Sequence, residues 1–251
     1  MTAISLHVTD HVATLSFDAP AGRFDRSLLD ELAEAARHVG ADTEHVYAVV
    51  LATAGADFGA GWDDALLAEP ALAVLPPPGA AIEAVAAIPQ PVIAATRGTV
   101  HSAGLELALA CDIRLAAADA RFAMPETALG LVPRAGGTQR LPRAVGRAHA
   151  LRLLLTGEEI DAAEAHRIGL VSAVVPGDVT AAAHQLAATI ASRGPIATRL
   201  AKEAVHRGVE LPLAHGLLTE LDLTVILQTT ADRAEGVQAF VEKREPRFQN
   251  R

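Results

Sequence analysis

Aromatic side chains make up only 3% of this 251-residue chain, with one Trp and one Tyr. A core built from stacked rings is thereby excluded, and Ala, Leu, Val and Ile must fill it. Cysteine is nearly absent: Cys111 stands alone, which rules out an internal disulfide and any CxxC metal or redox site. Its apolar setting, Leu109-Ala-Cys-Asp-Ile113, reads as a small core residue. No run of Lys or Arg occurs, and 21 basic against 30 acidic residues give a net charge of −9. Nucleic acid is therefore not an expected partner. Every long apolar stretch is broken by charge, Gly or Pro before the roughly 20 residues a membrane span needs. The first residues lack the basic and apolar regions of a secretory signal, so a soluble cytoplasmic protein is expected, with no membrane partner.

What the chain has is aliphatic bulk. It is 51% hydrophobic with mean hydropathy +0.27, enough for one large α/β domain or such a domain with a helical extension. Residues 4–8 and 12–17 alternate around Thr9-Asp10-His11 as a hairpin. Ser27 is placed to cap a helix to about Val39, with Leu28, Leu29, Leu32 and Ala36 at helical spacing. The β-branched run Val46–Leu51 predicts a buried strand, Ala52–Gly61 a loop of small residues, and Trp62–Ala68 a short helix. Residues 70–78 are Pro-rich, a candidate mobile loop over a site. A helix at 80–87, a strand at 91–96, a loop at Gly98–Gly104, a helix to about 110 and a strand at 112–116 follow. Strand, glycine-containing loop and short helix thus recur at 46–68 and 91–110, which predicts stacked β-β-α turns and not a dinucleotide-binding βαβ unit. From Thr138 the pattern is helical, apart from a strand at 170–175. Gly194-Pro195 precedes helices at about 195–207, 211–227 and 231–243. A soft boundary near 194 divides a core, 1–194, from a C-terminal helical region, 195–251, of the kind that packs on a neighbour.

Two carboxylates, Glu106 and Glu126, lie in separate glycine-punctuated segments within strongly apolar surroundings. Ionised carboxylates there must be paired, solvated or shifted in pKa, and two that converge can divide acid and base work. Gly104 enters the helix that carries Glu106, so amides near Ala103 and Gly104 are available to an oxyanion. Gly61-Trp-Asp63 offers a second such loop. Two amides from two loops would stabilise an enolate-like oxyanion. Taken singly, each glycine is ordinarily a turn residue, Glu106 a first-turn carboxylate serving the helix dipole, and Glu126 an exposed loop acid.

Several segments together carry a resemblance: Phe58-Gly-Ala-Gly-Trp-Asp63, Pro91-Val-Ile-Ala-Ala-Thr-Arg-Gly98, Leu105-Glu-Leu-Ala-Leu-Ala-Cys-Asp112, Pro125-Glu-Thr-Ala-Leu-Gly130, Gly136-Gly-Thr-Gln-Arg-Leu-Pro-Arg143, Leu155-Thr-Gly157 and Glu235-Gly-Val-Gln-Ala-Phe-Val-Glu-Lys-Arg244. In number and order they resemble the enoyl-CoA hydratase/isomerase (crotonase) family from the hairpin to Phe248. The resemblance implies a spiral of β-β-α turns with a C-terminal helical trimerisation region, assembled as a homotrimer or a hexamer of two trimers. It implies an enolate of a CoA thioester held by the backbone N–H groups of Trp62 and Ala103. Glu106 would activate water at Cβ and Glu126 would protonate Cα, which is hydration of a 2-enoyl-CoA as in fatty acid metabolism. Coenzyme A would enter as part of the substrate, with no metal and no permanently bound cofactor. Its nucleotide end would lie on Arg23, Phe24, Ala60, Asp63 and Asp64, with Phe240 and Lys243 reaching in, often from a neighbouring subunit. Alternatives within the family are a double-bond isomerase or an acyl-CoA hydrolase, and outside catalysis a member that only binds acyl-CoA.

The chain departs from the family pattern in four places. Ser102-Ala103-Gly104 replaces a glycine triplet, and Ala at the donor position restricts φ. Pro133-Arg134-Ala135-Gly136 replaces Pro-Gly-x-Gly; Arg134 either projects into solvent or pairs with Glu126 and depresses its pKa. His101 is either a structural loop residue or a polar group in the acyl pocket. Ala21-Gly-Arg-Phe-Asp25 stands in for an Asn-Ala-Leu-containing stretch.

Overall fold

A computed structural model describes residues 3–68 and 79–251; the Pro-rich segment 70–78 lies outside the described residues. Strands β1 (Ile4–Thr9) and β2 (Val12–Phe17) form the opening hairpin. Strand β3 (Arg23–Phe24) leads into helix α1 (Arg26–Ala41). The cap of α1 is Asp25, whose side chain accepts from Leu28 N at 2.8 Å, and not Ser27, whose hydroxyl instead turns to Glu31. The helix buries Leu28, Leu29, Leu32, Ala33, Ala36 and Val39 on one face.

Three turns of a spiral follow, each supplying one strand to a main sheet, one to a smaller sheet and then a helix. The first comprises β4 (Ala48–Thr53), β5 (Gly61–Trp62), α2 (Asp64–Ala68) and α3 (Gly79–Ala86). Trp62 therefore belongs to a strand paired with β3 and not to the short helix expected to begin there, because that helix starts only at Asp64. The second comprises β6 (Val92–Thr96), β7 (Thr99–His101) and α4 (Ala103–Ala110). The third comprises β8 (Ile113–Ala117), β9 (Arg121–Ala123), a 3-10 turn at Pro125–Leu129 and α5 (Gly137–Thr156). After β10 (Ile160–Asp161) and α6 (Ala162–Arg167), β11 (Ala173–Val175) closes the main sheet, whose order is β1-β2-β4-β6-β8-β11.

That sheet is parallel from β2 onward, so its middle strands are covered on both faces and read as unbroken apolar runs. Alternation divides them. Val49, Leu51, Val92 and Ala94 pack with α1, α3 and α4, whereas Ala48, Val50, Ala52, Ile93 and Ala95 pack with α7 (Val179–Ala191). Helix α4 lies innermost, and every residue from Ala103 to Ala110 is buried. Cys111, just after it, is a core residue whose thiol burial pushes up to about 12.

The C-terminal helices are α8 (Pro195–Gly208), α9 (Leu213–Gln228) and α10 (Ala231–Glu242). Lys202 ties α8 to the core, donating to Ile88 O (2.7 Å) and Gln90 O (2.9 Å) and pairing with Asp112 Oδ2 (2.7 Å). His206 Nε2 meets the other oxygen of Asp112 at 2.8 Å. Beyond this anchor the tail leaves apolar surface in water: Leu213 is 78%, Phe240 85% and Val241 74% exposed, and Leu217, Leu218, Leu221, Val225 and Ile226 are exposed with them. Among the described residues no helix is long and apolar enough to cross a membrane.

Candidate active site

The spiral brings the two glycine loops together. Gly59 N donates to Thr99 O (2.9 Å) and His101 N donates to Gly59 O (2.7 Å), stitching the loop before β5 to β7. A Cβ added to Gly104 would lie 2.5 Å from Gly59 O, so the start of α4 approaches that loop backbone to backbone, which only glycine permits. Ala103 opens α4, and its amide has no intrahelical acceptor. Just after β5, Asp63 N donates to Phe24 O at 3.0 Å, so strand alternation turns the Trp62 amide away from β3. The amides of Trp62 and Ala103 thus lie where β5 meets α4.

Both glutamates are buried, Glu106 fully and Glu126 with 4% exposure. Glu106 Oε1 accepts from Ala135 N (2.7 Å) and Gly137 N (2.8 Å), while its Oε2 is buried without a hydrogen-bond partner among the described residues. Glu126 shows the same asymmetry: Ser102 Oγ donates to Oε1 at 2.6 Å and Oε2 is unengaged. Burial pushes the Glu106 carboxyl up to about 7; the amides of Gly137 and Ala135 oppose the shift, and the neighbouring Glu126 adds to it. Each carboxylate is held by one oxygen and presents the other. Together with the two amides, this arrangement can take a proton from one reactant, deliver one to another, and hold negative charge between them.

Arg134 neither projects freely into solvent nor pairs with Glu126. Its guanidinium carbon lies 5.7 Å from the centroid of the Trp62 ring, and Nη1 donates to Leu66 O at 3.3 Å. The amides that reach Glu106 belong to Ala135 and Gly137, so a side chain at 134 does not remove them. His101, on β7, has Nε2 3.0 Å from Glu159 Oε2, a close contact without hydrogen-bond alignment. Burial holds the His101 pKa below its usual value, with the Glu159 carboxylate working the other way.

On the side expected to meet the nucleotide, Arg23 is exposed and its Nη1 donates to Trp62 O at 3.0 Å. Phe24 is fully buried against Phe17, and Ala60 N donates to Gly22 O at 2.6 Å. Asp63 Oδ1 accepts from Ala65 N, and Asp64 is exposed at the start of α2. Phe240 and Lys243 are exposed on the tail, so the single chain does not pack them against this corner. The hydroxyl of Ser102 and the amides of Ala135 and Gly137 are site groups that reading the sequence missed. For Ser102 the local signal, a hydroxyl where a helix cap belongs, points away from its actual partner Glu126.

A family model described as enoyl-CoA hydratase/isomerase matches residues 8–251. The chain belongs to this family. YngF of Bacillus subtilis is 51% identical over 159 residues, 63% of this chain and 61% of that protein. The probable enoyl-CoA hydratase echA8 of Mycobacterium leprae is 50% identical over 167 residues, 66% of this chain and 65% of that protein. These alignments thus span less than two thirds of either relative. The 2,3-dehydroadipyl-CoA hydratase of Escherichia coli aligns over the whole of both chains at 39% identity. Among solved structures, an enoyl-CoA hydratase from Bacillus anthracis superposes with a TM-score of 0.93, covering 99% of this chain and 100% of that one at 39% identity. The fold is therefore the crotonase fold of this family, as the resemblance implied.

Proposed function

We propose that this chain is an enoyl-CoA hydratase, adding water syn across the double bond of a 2-enoyl-CoA thioester. The observation that carries the reading is the pair of buried glutamates, each anchored through one oxygen with the other unengaged. Glu106, with its pKa raised to about 7, takes a proton from water as the water oxygen bonds to Cβ. The π electrons move onto the thioester oxygen, where the amides of Trp62 and Ala103 receive the charge. Glu126 gives a proton to Cα, and the enolate collapses to the 3-hydroxyacyl thioester. A base poised near neutral pH contributes roughly 10²–10⁴-fold, and one oxyanion donor a further ~10²–10³. The chain supplies only carboxylates and amides to these steps, and coenzyme A arrives as part of the substrate.

Pairing of Arg134 with Glu126 would have favoured a member that only binds acyl-CoA. The position of Arg134 over Trp62 favours turnover instead. The exposed apolar residues of α9 and α10 fit burial against further copies of the chain. A homotrimer or a pair of trimers would cover them and carry Phe240 and Lys243 toward a neighbour's nucleotide site.

The test is hydration of crotonyl-CoA by the wild type and by Glu106→Gln and Glu126→Gln, with CoA-ester binding measured alongside. Loss of turnover in both variants with retained binding is expected. Normal turnover in both would remove the glutamates from the mechanism.

A further inference from the structure

Ser102 occupies the N-cap position of α4, where a serine hydroxyl ordinarily accepts from an amide in the first turn. Here the side chain makes no such bond. It donates to Glu126 Oε1 at 2.6 Å instead. The backbone at Ser102 is also unusual, with φ 51° and ψ −120°, a region that glycine enters freely and serine does not. Asp10, His11, Ala21, Lys243 and Asn250 also have positive φ among the described residues. Those five are exposed or half-exposed, whereas Ser102 is buried. A serine that forgoes its cap and accepts a strained backbone in the interior needs a reason.

The geometry supplies one. Ser102 N donates to Ala123 O at 3.1 Å and Ser102 O accepts from Glu106 N at 2.9 Å, so this one residue links the strand before Glu126 to the helix carrying Glu106. Its side chain faces the other oxyanion loop, lying 3.4 Å from the point where a Cβ on Gly61 would sit. Because the hydroxyl is turned to Glu126, it does not occupy the first-turn amides of α4. We infer that Ser102 is a positioning residue: its hydroxyl, spent on Glu126 and not on the helix cap, fixes that carboxylate toward the reacting centre. This rests on the hydratase reading of Glu126 above.

Ser102→Gly and Ser102→Ala separate the hydroxyl from the backbone. Glycine relieves the strained φ, so a residue serving only the backbone would give a Ser102→Gly enzyme with wild-type turnover. We expect both variants to lose kcat by about 10- to 100-fold on crotonyl-CoA, the range for a hydrogen bond to a charged group, at unchanged KM. The Tm of Ser102→Gly should equal or exceed that of the wild type. In a crystal structure of Ser102→Gly, the Glu126 carboxylate should leave its wild-type rotamer. Wild-type turnover of Ser102→Gly, or a Glu126 side chain that stays in place in that structure, overturns the inference. Should the wild type itself fail to hydrate 2-enoyl thioesters, the hydratase reading falls, and the crystallographic arm alone decides whether Ser102 holds Glu126.

Discussion

The amide of Gly137 donates to Glu106 Oε1 at 2.8 Å, and the same glycine leaves no room for a larger residue. A Cβ there would lie 2.8 Å from Pro133 Cβ, 3.0 Å from Met124 Cε and 3.1 Å from Glu106 Oε1. Gly137→Ala should therefore displace the carboxylate it holds. We expect a loss of about 1–3 kcal/mol in denaturant unfolding, the usual cost of overpacking, together with a fall in kcat of at least tenfold. A variant with native kcat would show that Glu106 does not depend on this anchor.

Glu106 links catalysis to pH in two directions. As a base it must be ionised, so turnover of a 2-enoyl thioester should rise through about pH 7. Stability runs the other way, because the folded chain holds this proton more tightly than the unfolded chain, whose carboxyl titrates near 4.5. The contribution is complete below about pH 4.5 and is lost as pH rises through about 7. Its size is on the order of 3 kcal/mol. Glu106→Gln keeps an oxygen for the two amides without the buried charge, so it should melt higher than the wild type at pH 8 and gain little at pH 5. Thermal melts at both values decide the matter; an equal difference at each would contradict the assignment.

Arg134→Ala removes the guanidinium from the face of Trp62 and leaves the amides of Ala135 and Gly137 in place. The expected stability loss is about 0.5–2 kcal/mol, and kcat should change no more than a few fold. A collapse of kcat on crotonyl-CoA would mean that the arginine acts on the chemistry directly.

Lys202 joins α8 to two carbonyls and one carboxylate at 12% side-chain exposure. Lys202→Met should cost about 3–5 kcal/mol, the range for breaking a buried pair by deleting one partner. It should also open the segment around 192–194 to protease before the core unfolds. Unchanged unfolding and proteolysis would show that the tail is held elsewhere.

Periodicity and punctuation made much of the fold legible in the sequence. The unbroken apolar runs of β4 and β6 and the amphipathic spacing of α1 could be read because burial imposes them residue by residue. The pairing of β3 with β5 could not, since a two-residue strand has no period to detect. Ser27 was read as the cap of α1, and the structure gives that role to Asp25, two positions earlier, because the backbone turn brings its carboxylate to Leu28 N. In the site, Glu106 and Glu126 stood out as charges in apolar segments. Arg134 over Trp62 did not, because that contact joins residues far apart in the chain. The Ser102 hydroxyl was hidden for a different reason: its local chemistry predicts a cap, and a long-range partner takes it instead.

Helix α4 is buried along its whole length, from the amide at Ala103 to Ala110. Apart from the unbonded amides of its first turn, its backbone can meet solvent only when the layers around it come apart, so the amides from Glu106 onward should be among the last to exchange with deuterium, at rates set by global unfolding. The site has no route to local melting through this helix. Heat inactivation and loss of fold should therefore coincide along α4, and any adaptation to a different acyl group would have to come from the loops around a helix that cannot itself move.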